Sequence, residues 1–239
     1  MGAIMVSNSL AHISLEKIAA SVPAETVMWM QIYFFPKKDI VIDIVKRAEK
    51  AGYTALVVTV DEPDDYEVRC NARGRFVKRG RRLLGFPNLK SKFDSVRADP
   101  STTFDDITWL SKITSLPIVA KGIMTGEDAK QAIEAGASAI FVSNQGGREL
   151  DGSLPTIDVL PEIVEAVNSA YPWIEVYMDG GIRSGYDIFK AIALGARAVF
   201  IGRPALWGLT MGGGDGVKRV LSILRQEFTE TMIHAGKLE

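Results

Sequence analysis

The stretch AIFVSNQGGRELD, Ala139 to Asp151, decides the fold. Its apolar opening, Ala139, Ile140, Phe141 and Val142, reads as a buried strand. The strand ends in a polar, glycine-rich turn that carries Ser143, Asn144, Gln145, Arg148 and Asp151. An α/β protein places its chemistry at such strand ends.

Working outward, the same punctuation recurs. IEVYMDGGIRSG (Ile174 to Gly185) and AVFIGRP (Ala198 to Pro204) again deliver Gly, Arg and small polar groups after an apolar run. Toward the N-terminus, strands are predicted over Ala3 to Ser7, Thr26 to Tyr33, Ala55 to Val60 and Leu116 to Lys121. Between them lie helical patterns: Ser14 to Ala20 with Ser14 as N-cap, a helix from Asp39 closed by Gly52, Phe104 to Ser115, and one capped by Thr125. In the second of these, Ile40, Ile44, Val45 and Ala48 share a face. Helices are also predicted over Thr156 to Ala170, Gly185 to Leu194 and Gly216 to Ile233. The alternation predicts seven parallel strands with right-handed crossovers. This is an α/β TIM-type (β/α)8 barrel short of one strand, folded as a single domain over residues 1–239. An open doubly wound sheet is the alternative, but the early glycine-rich phosphate turn of a dinucleotide fold is missing.

Composition narrows the partners. Lys and Arg number 28 against 29 Asp and Glu, so a net charge of -1 gives no general reason to expect nucleic acid or an acidic membrane. No apolar run reaches the roughly 18 residues of a bilayer span. The one cysteine, Cys70, rules out an internal disulfide framework and fits a reducing, intracellular setting. No metal site is assigned. The segment Glu62 to Thr103 loses periodicity and reads as a long excursion over the site. Its basic run RGRFVKRGRR, Arg73 to Arg82, has the composition of a nucleic-acid patch but also of an ordinary solvated face.

DGGIRSG and IGRP follow the last two strands, where barrels bind phosphate on backbone N–H groups and a helix N-terminus. Gly180 and Gly181 allow close approach of an anion, and Arg183 and Arg203 add charge-assisted bonds. The same glycines also serve as plain turn residues. Lys121, at a strand end, would set its ammonium against an electron-rich ring or phosphate, or simply reach solvent.

The run SNQGGRELDGSLPTIDVLPEIVEAV, with YMDGGIRSGYDIFKAIALGA and VFIGRPALWGL after it and SLPIVAKGI, ALVVTVDEP and WMQIYFF before it, resembles the FMN-dependent 2-hydroxy-acid oxidases of the glycolate oxidase type. The resemblance covers nearly the whole chain. It implies a barrel lacking its first strand and N-terminal helical region, FMN as cofactor, a small 2-hydroxy acid as substrate and oxygen as acceptor. It implies that Gln31, Thr59, Lys121, Ser143, Asp179, Gly180, Gly181, Ile182, Arg183, Gly202 and Arg203 bind the cofactor. Tyr33 and Arg148 would hold the substrate carboxylate. It further implies a homotetramer and a peroxisomal location, although the chain ends in KLE rather than SKL, which leaves the cytoplasm open.

Three departures from the family pattern bear on activity. Gln145 stands where members carry the catalytic histidine, and an uncharged amide accepts no proton near pH 7. A second substrate arginine is replaced by Val68, with Arg69 beside it. The resemblance further implies that the family's N-terminal region is absent and that Asn8 takes the place of a flavin-contacting serine. Of the two histidines, His12 follows the first strand and is the candidate substitute base, while His234 is expected on the surface of a terminal helix. The expected outcomes are an oxidase of weak activity, a catalytically degenerate flavin-binding or subunit-partner protein, or a truncated product of a full-length oxidase.

Overall fold

The computed structural model describes residues 2–61, 86–89 and 98–237. These include seven strands, each followed by helix or turn: β1 (Met5–Asn8), β2 (Met28–Ile32), β3 (Ala55–Thr59), β4 (Ile118–Ile123), β5 (Ala139–Val142), β6 (Glu175–Met178) and β7 (Ala198–Val199). The helices are α1 (Leu15–Ala20), α2 (Lys38–Lys50), α3 (Phe104–Ser111), α4 (Gly126–Glu134), α5 (Thr156–Ala170), α6 (Gly185–Ala193) and α7 (Arg203–His234). Val68, Arg69, Cys70 and the Arg73 to Arg82 run lie outside the described residues. Packing divides the chain into a first unit, Met1–Lys121 with Gln131–Ser138, and a second, Gly122–Lys130 with Ala139–Glu239.

In the first unit β1 to β4 are parallel and adjacent in chain order, with Asn8 opposite Gln31, Gln31 opposite Val57 and Thr59 opposite Lys121. All five residues of β3 are buried, as expected of a parallel strand covered on both faces. Helix α2 lays Val41, Ile44, Val45 and Ala48 into the core, the i, i+3, i+4, i+7 stripe of an amphipathic helix. The predicted Ile40 is only partly buried; Val41 takes that place on the inner face.

In the second unit β5, β6 and β7 are parallel neighbours, again in chain order. Phe141 of β5 packs on Tyr177 of β6 and on Phe200, with ring centroids 6.3 and 4.7 Å apart. Helix α5 buries Val159, Leu160, Ile163 and Val167. Each fully buried side chain of this size contributes about 1.5–3 kcal/mol.

Sequential parallel pairing without reversal of strand order is the pattern of a TIM-type barrel, which has eight strands when complete. A doubly wound sheet would reverse its order at a switch point, and neither unit does. One element differs from expectation. The last helix starts at Arg203 rather than Gly216, and it is broken at Gly212 (φ -160°, ψ 25°) and Gly213 (φ 59°, ψ -142°). The glycines of MGGGDG interrupt the apolar period, so the first half carries no periodic signal, although Pro204 in the first turn suits a helix start.

Candidate functional site

The predicted site residues of the first unit cluster at the C-terminal ends of its strands. Adjacent strands bring Gln31 beside Thr59, and Gln31 Nε2 donates to Thr59 Oγ1 at 2.6 Å and to the Tyr33 hydroxyl at 3.3 Å. Thr59 and Tyr33 are buried, and so is Lys121, which is unusual for a lysine and keeps its stem inside the strand row. Asn8 turns its side chain to local work: Oδ1 accepts from Leu10 N–H at 2.7 Å. His12 lies exposed beyond β1 with its ring stacked on Phe86 at 5.3 Å.

The segment carrying Phe86 is anchored by a buried amide. Asn88 Oδ1 accepts from Leu15 N–H at 2.8 Å, its Nδ2 donates to Ser9 O at 3.2 Å, and its carbonyl accepts from Arg47 Nη1 at 2.9 Å. Arg47 also grips Glu16 through Nε at 2.6 Å and Nη2 at 3.0 Å. These bonds hold the Glu16 carboxyl at about 2, well below its usual 4.5. Sequence reasoning missed Asn88, since its partners lie 73 and 79 residues away.

In the second unit, β5 delivers Ser143, fully buried, whose Oγ accepts from Gln145 N–H at 3.2 Å. The chain then takes three successive left-handed residues, Gln145 (φ 54°), Gly146 (φ 68°) and Gly147 (φ 74°). Only Gln145 among them has a side chain, and that conformation is costly for it. Asn144 stabilises the turn: Oδ1 accepts from Gly147 N–H at 3.1 Å and Nδ2 donates to Leu154 O at 3.1 Å. Two predicted arginines close on the same turn. Arg148 Nε donates to Gln145 O at 2.9 Å, and Arg203 Nη2 donates to Gly146 O at 2.7 Å. A guanidinium has five donors, so Arg203 retains several for an anion.

The turn after β6 is held at both ends. Thr156 Oγ1 donates to Asp179 O at 2.6 Å at its start. At its end, Asp187 Oδ2 accepts from Arg183 N–H and Ser184 N–H, both at 2.9 Å, and Ser184 completes a capping box with it. Burial raises the Asp187 carboxyl, but the hydrogen bonds from Arg183 and Ser184 outweigh it and the net shift is downward. Glu227 Oε2 accepts the next donor, Gly185 N–H, at 2.8 Å. The N-terminus of α6 is therefore capped by two carboxylates. Among the described residues, the N–H groups of Gly180, Gly181 and Ile182 make no hydrogen bond, nor do those of Gly202 and Arg203 at the start of α7. Ile182 is buried and offers only its main chain, while the Arg183 guanidinium lies 5.2 Å over the Trp207 ring and donates to Ile182 O at 2.8 Å. The sequence reading gives Thr156, Asp187 and Glu227 no role in the site. S-x-x-D at Ser184 to Asp187 is a local signal for one of them; Glu227 has none.

The chain matches, over residues 1–238, the model of a family described as FMN-dependent dehydrogenase. It is 46% identical over 252 residues to 2-Hydroxyacid oxidase 1 of Mus musculus, covering 99% of this chain and 67% of that protein. It is 44% identical over 245 residues to Peroxisomal (S)-2-hydroxyacid oxidase GLO3 of Arabidopsis thaliana, covering 98% of this chain and 66% of the relative. Among solved structures, mandelate oxidase with (S)-2-phenylpropionate superimposes with a TM-score of 0.85 at 41% identity, over 99% of this chain and 66% of that one. The chain thus spans about two thirds of the relatives' length. On this footing the chain belongs to the FMN-dependent dehydrogenase family, and FMN is its cofactor.

Proposed function

We propose that this chain is an FMN-dependent 2-hydroxy-acid oxidase of impaired turnover, converting a small 2-hydroxy acid to the 2-oxo acid with oxygen as acceptor. The observation that carries the reading is the set of unengaged main-chain donors, Gly180 to Ile182 and Gly202 with Arg203, beside an exposed arginine. They fit a phosphate monoester: nothing lies within 4 Å of where a Cβ would stand at Gly181 or Gly202. Asp179 and Arg183 frame the same turn. Gln31, Thr59 and Lys121 are assigned to the isoalloxazine: an amide and a hydroxyl match its polar edge, and a buried ammonium stabilises negative charge on the ring. Ser143 joins this group.

When bound, FMN would supply the two-electron sink for oxidation of the substrate, with oxygen as the final acceptor. Tyr33 and Arg148 hold the substrate carboxylate, a hydroxyl and a guanidinium suited to an anion. The hydroxyl proton must leave for a base, and Gln145 has no basic atom near pH 7. It orients the hydroxyl by hydrogen bonding and leaves proton removal to water. Loss of a general base costs about 10²- to 10⁴-fold in rate. Val68 deprives the carboxylate of a second guanidinium and loosens its orientation.

A second reading, a flavin-binding protein or subunit partner without turnover, is favoured by the same Gln145. Anaerobic addition of glycolate to the FMN-loaded chain separates the two: slow bleaching supports the oxidase, and none supports the partner. The Arabidopsis relative is peroxisomal by name, and residence there is tested by imaging the tagged chain. Homo-oligomerisation is tested by light scattering. No helix among the described residues is long and apolar enough to cross a membrane.

A further inference from the structure

We infer that Glu227 is a positioning residue for the phosphate turn, acting through the main chain of α6 rather than through contact with the cofactor. The inference rests on the assignment of that turn to the FMN phosphate. Two sets of donors must be correctly spaced for one phosphate: Gly180 to Ile182 after β6, and Gly202 with Arg203 at the start of α7. Glu227, 42 residues beyond Gly185, accepts its N–H at 2.8 Å and so ties the start of α6, which directly follows the first set, to α7.

The packing around this bond is unforgiving. A Cβ on Gly185 would lie 2.0 Å from Phe228 N and 2.3 Å from the Glu227 carbonyl carbon, so the backbone of α7 sits directly against the first turn of α6. The halves of α7 on either side of the Gly212–Gly213 break are themselves in backbone contact. A Cβ on Gly216 would stand 1.9 Å from Gly208 O, and one on Gly208 would stand 2.8 Å from Gly216 O. A continuous path of close backbone contacts runs from Gly185 through Glu227 and the Gly216–Gly208 crossing to Arg203. Glu227 fixes one end of it.

The chemistry of the residue separates positioning from charge. A carboxylate near an anion site opposes binding by its charge, so its contribution must come through the bond that it accepts from Gly185. A glutamine keeps an acceptor oxygen and discards the charge; an alanine discards both. Thr156 and Asp187 still hold the rest of the turn when Glu227 is altered, which confines the effect to the spacing of the donors.

The test compares FMN with riboflavin, which has the ring and lacks the phosphate, by fluorescence titration of the whole chain. The expected result is tighter binding of FMN in the unaltered chain, a loss of about tenfold in that preference for Glu227→Ala with riboflavin affinity unchanged, and retention for Glu227→Gln. Gly185→Ala, which wedges α6 from α7, moves in the same direction as Glu227→Ala. Three results overturn the inference: Glu227→Ala keeps the full preference, FMN and riboflavin weaken together, or Glu227→Gln fails as Glu227→Ala does. An unaltered chain with no preference for FMN over riboflavin overturns the phosphate assignment itself.

Discussion

The two units present their strand ends in opposite ways. The first offers side chains, a half-buried Gln31 bonded to the buried Thr59 and Tyr33, with the buried Lys121 on the next strand. The second offers main chain: open N–H groups on glycine turns, with side chains such as Thr156, Asp187 and Glu227 used to hold those turns. A side-chain surface is damaged by deleting atoms. A main-chain surface is damaged by adding them, and it tolerates change in its own side chains far better.

The largest expected effect attacks the second kind of surface. Gly185→Val drives its branched side chain into the backbone at Glu227 and Phe228, where even a Cβ meets atoms at 2.0 Å, and costs about 3 kcal/mol in urea unfolding. A neutral result would dissolve the contrast. Next comes Gln145→His, which restores a base at a residue with φ 54°, a left-handed conformation in which histidine is enriched. Flavin reduction followed by stopped flow is expected to accelerate between about 10- and 100-fold, below the full range for a general base because Val68 still supplies no guanidinium.

Thr59→Val tests the side-chain surface. It removes the acceptor of a 2.6 Å bond from Gln31 and leaves a half-buried amide short of a partner, costing about 1–2 kcal/mol. Here FMN and riboflavin are expected to weaken equally, the reverse of the pattern for Glu227→Ala. The smallest effect lies behind the first unit's rim. Glu16, lowered from 4.5 to about 2 by Arg47, stabilises the folded chain fully above pH 4.5, and that contribution disappears as the pH falls through about 2. Its side chain is 47% exposed, so screening limits the contribution to about 1 kcal/mol, read as the difference from Glu16→Gln in acid unfolding.

What could be read in advance follows from the range of the interactions. Helix α5 was predicted with its observed bounds, Thr156 to Ala170, because its apolar residues repeat at helical spacing. Strand β5 and its turn were legible from a short apolar run meeting glycines. The first half of α7 was not, since Gly212 and Gly213 break the pattern before it can be recognised. The site divides in the same way. Residues at strand ends announced themselves by position and by family resemblance, but the bonds that hold them did not. Gln31 meets Thr59 across 28 residues, Asn88 meets Ser9 across 79, and Glu227 meets Gly185 across 42. No local pattern encodes such partners.

The most direct test of the central claim is the visible absorption spectrum of the chain after incubation with FMN and gel filtration, followed by anaerobic addition of glycolate. The expected result is retained flavin absorbance that bleaches more slowly than about 0.1 s⁻¹, a typical turnover of about 10 s⁻¹ reduced at least a hundredfold by the lack of a base. A colourless chain would contradict the assignment of the donors to FMN, and bleaching complete within a second would contradict the role given to Gln145.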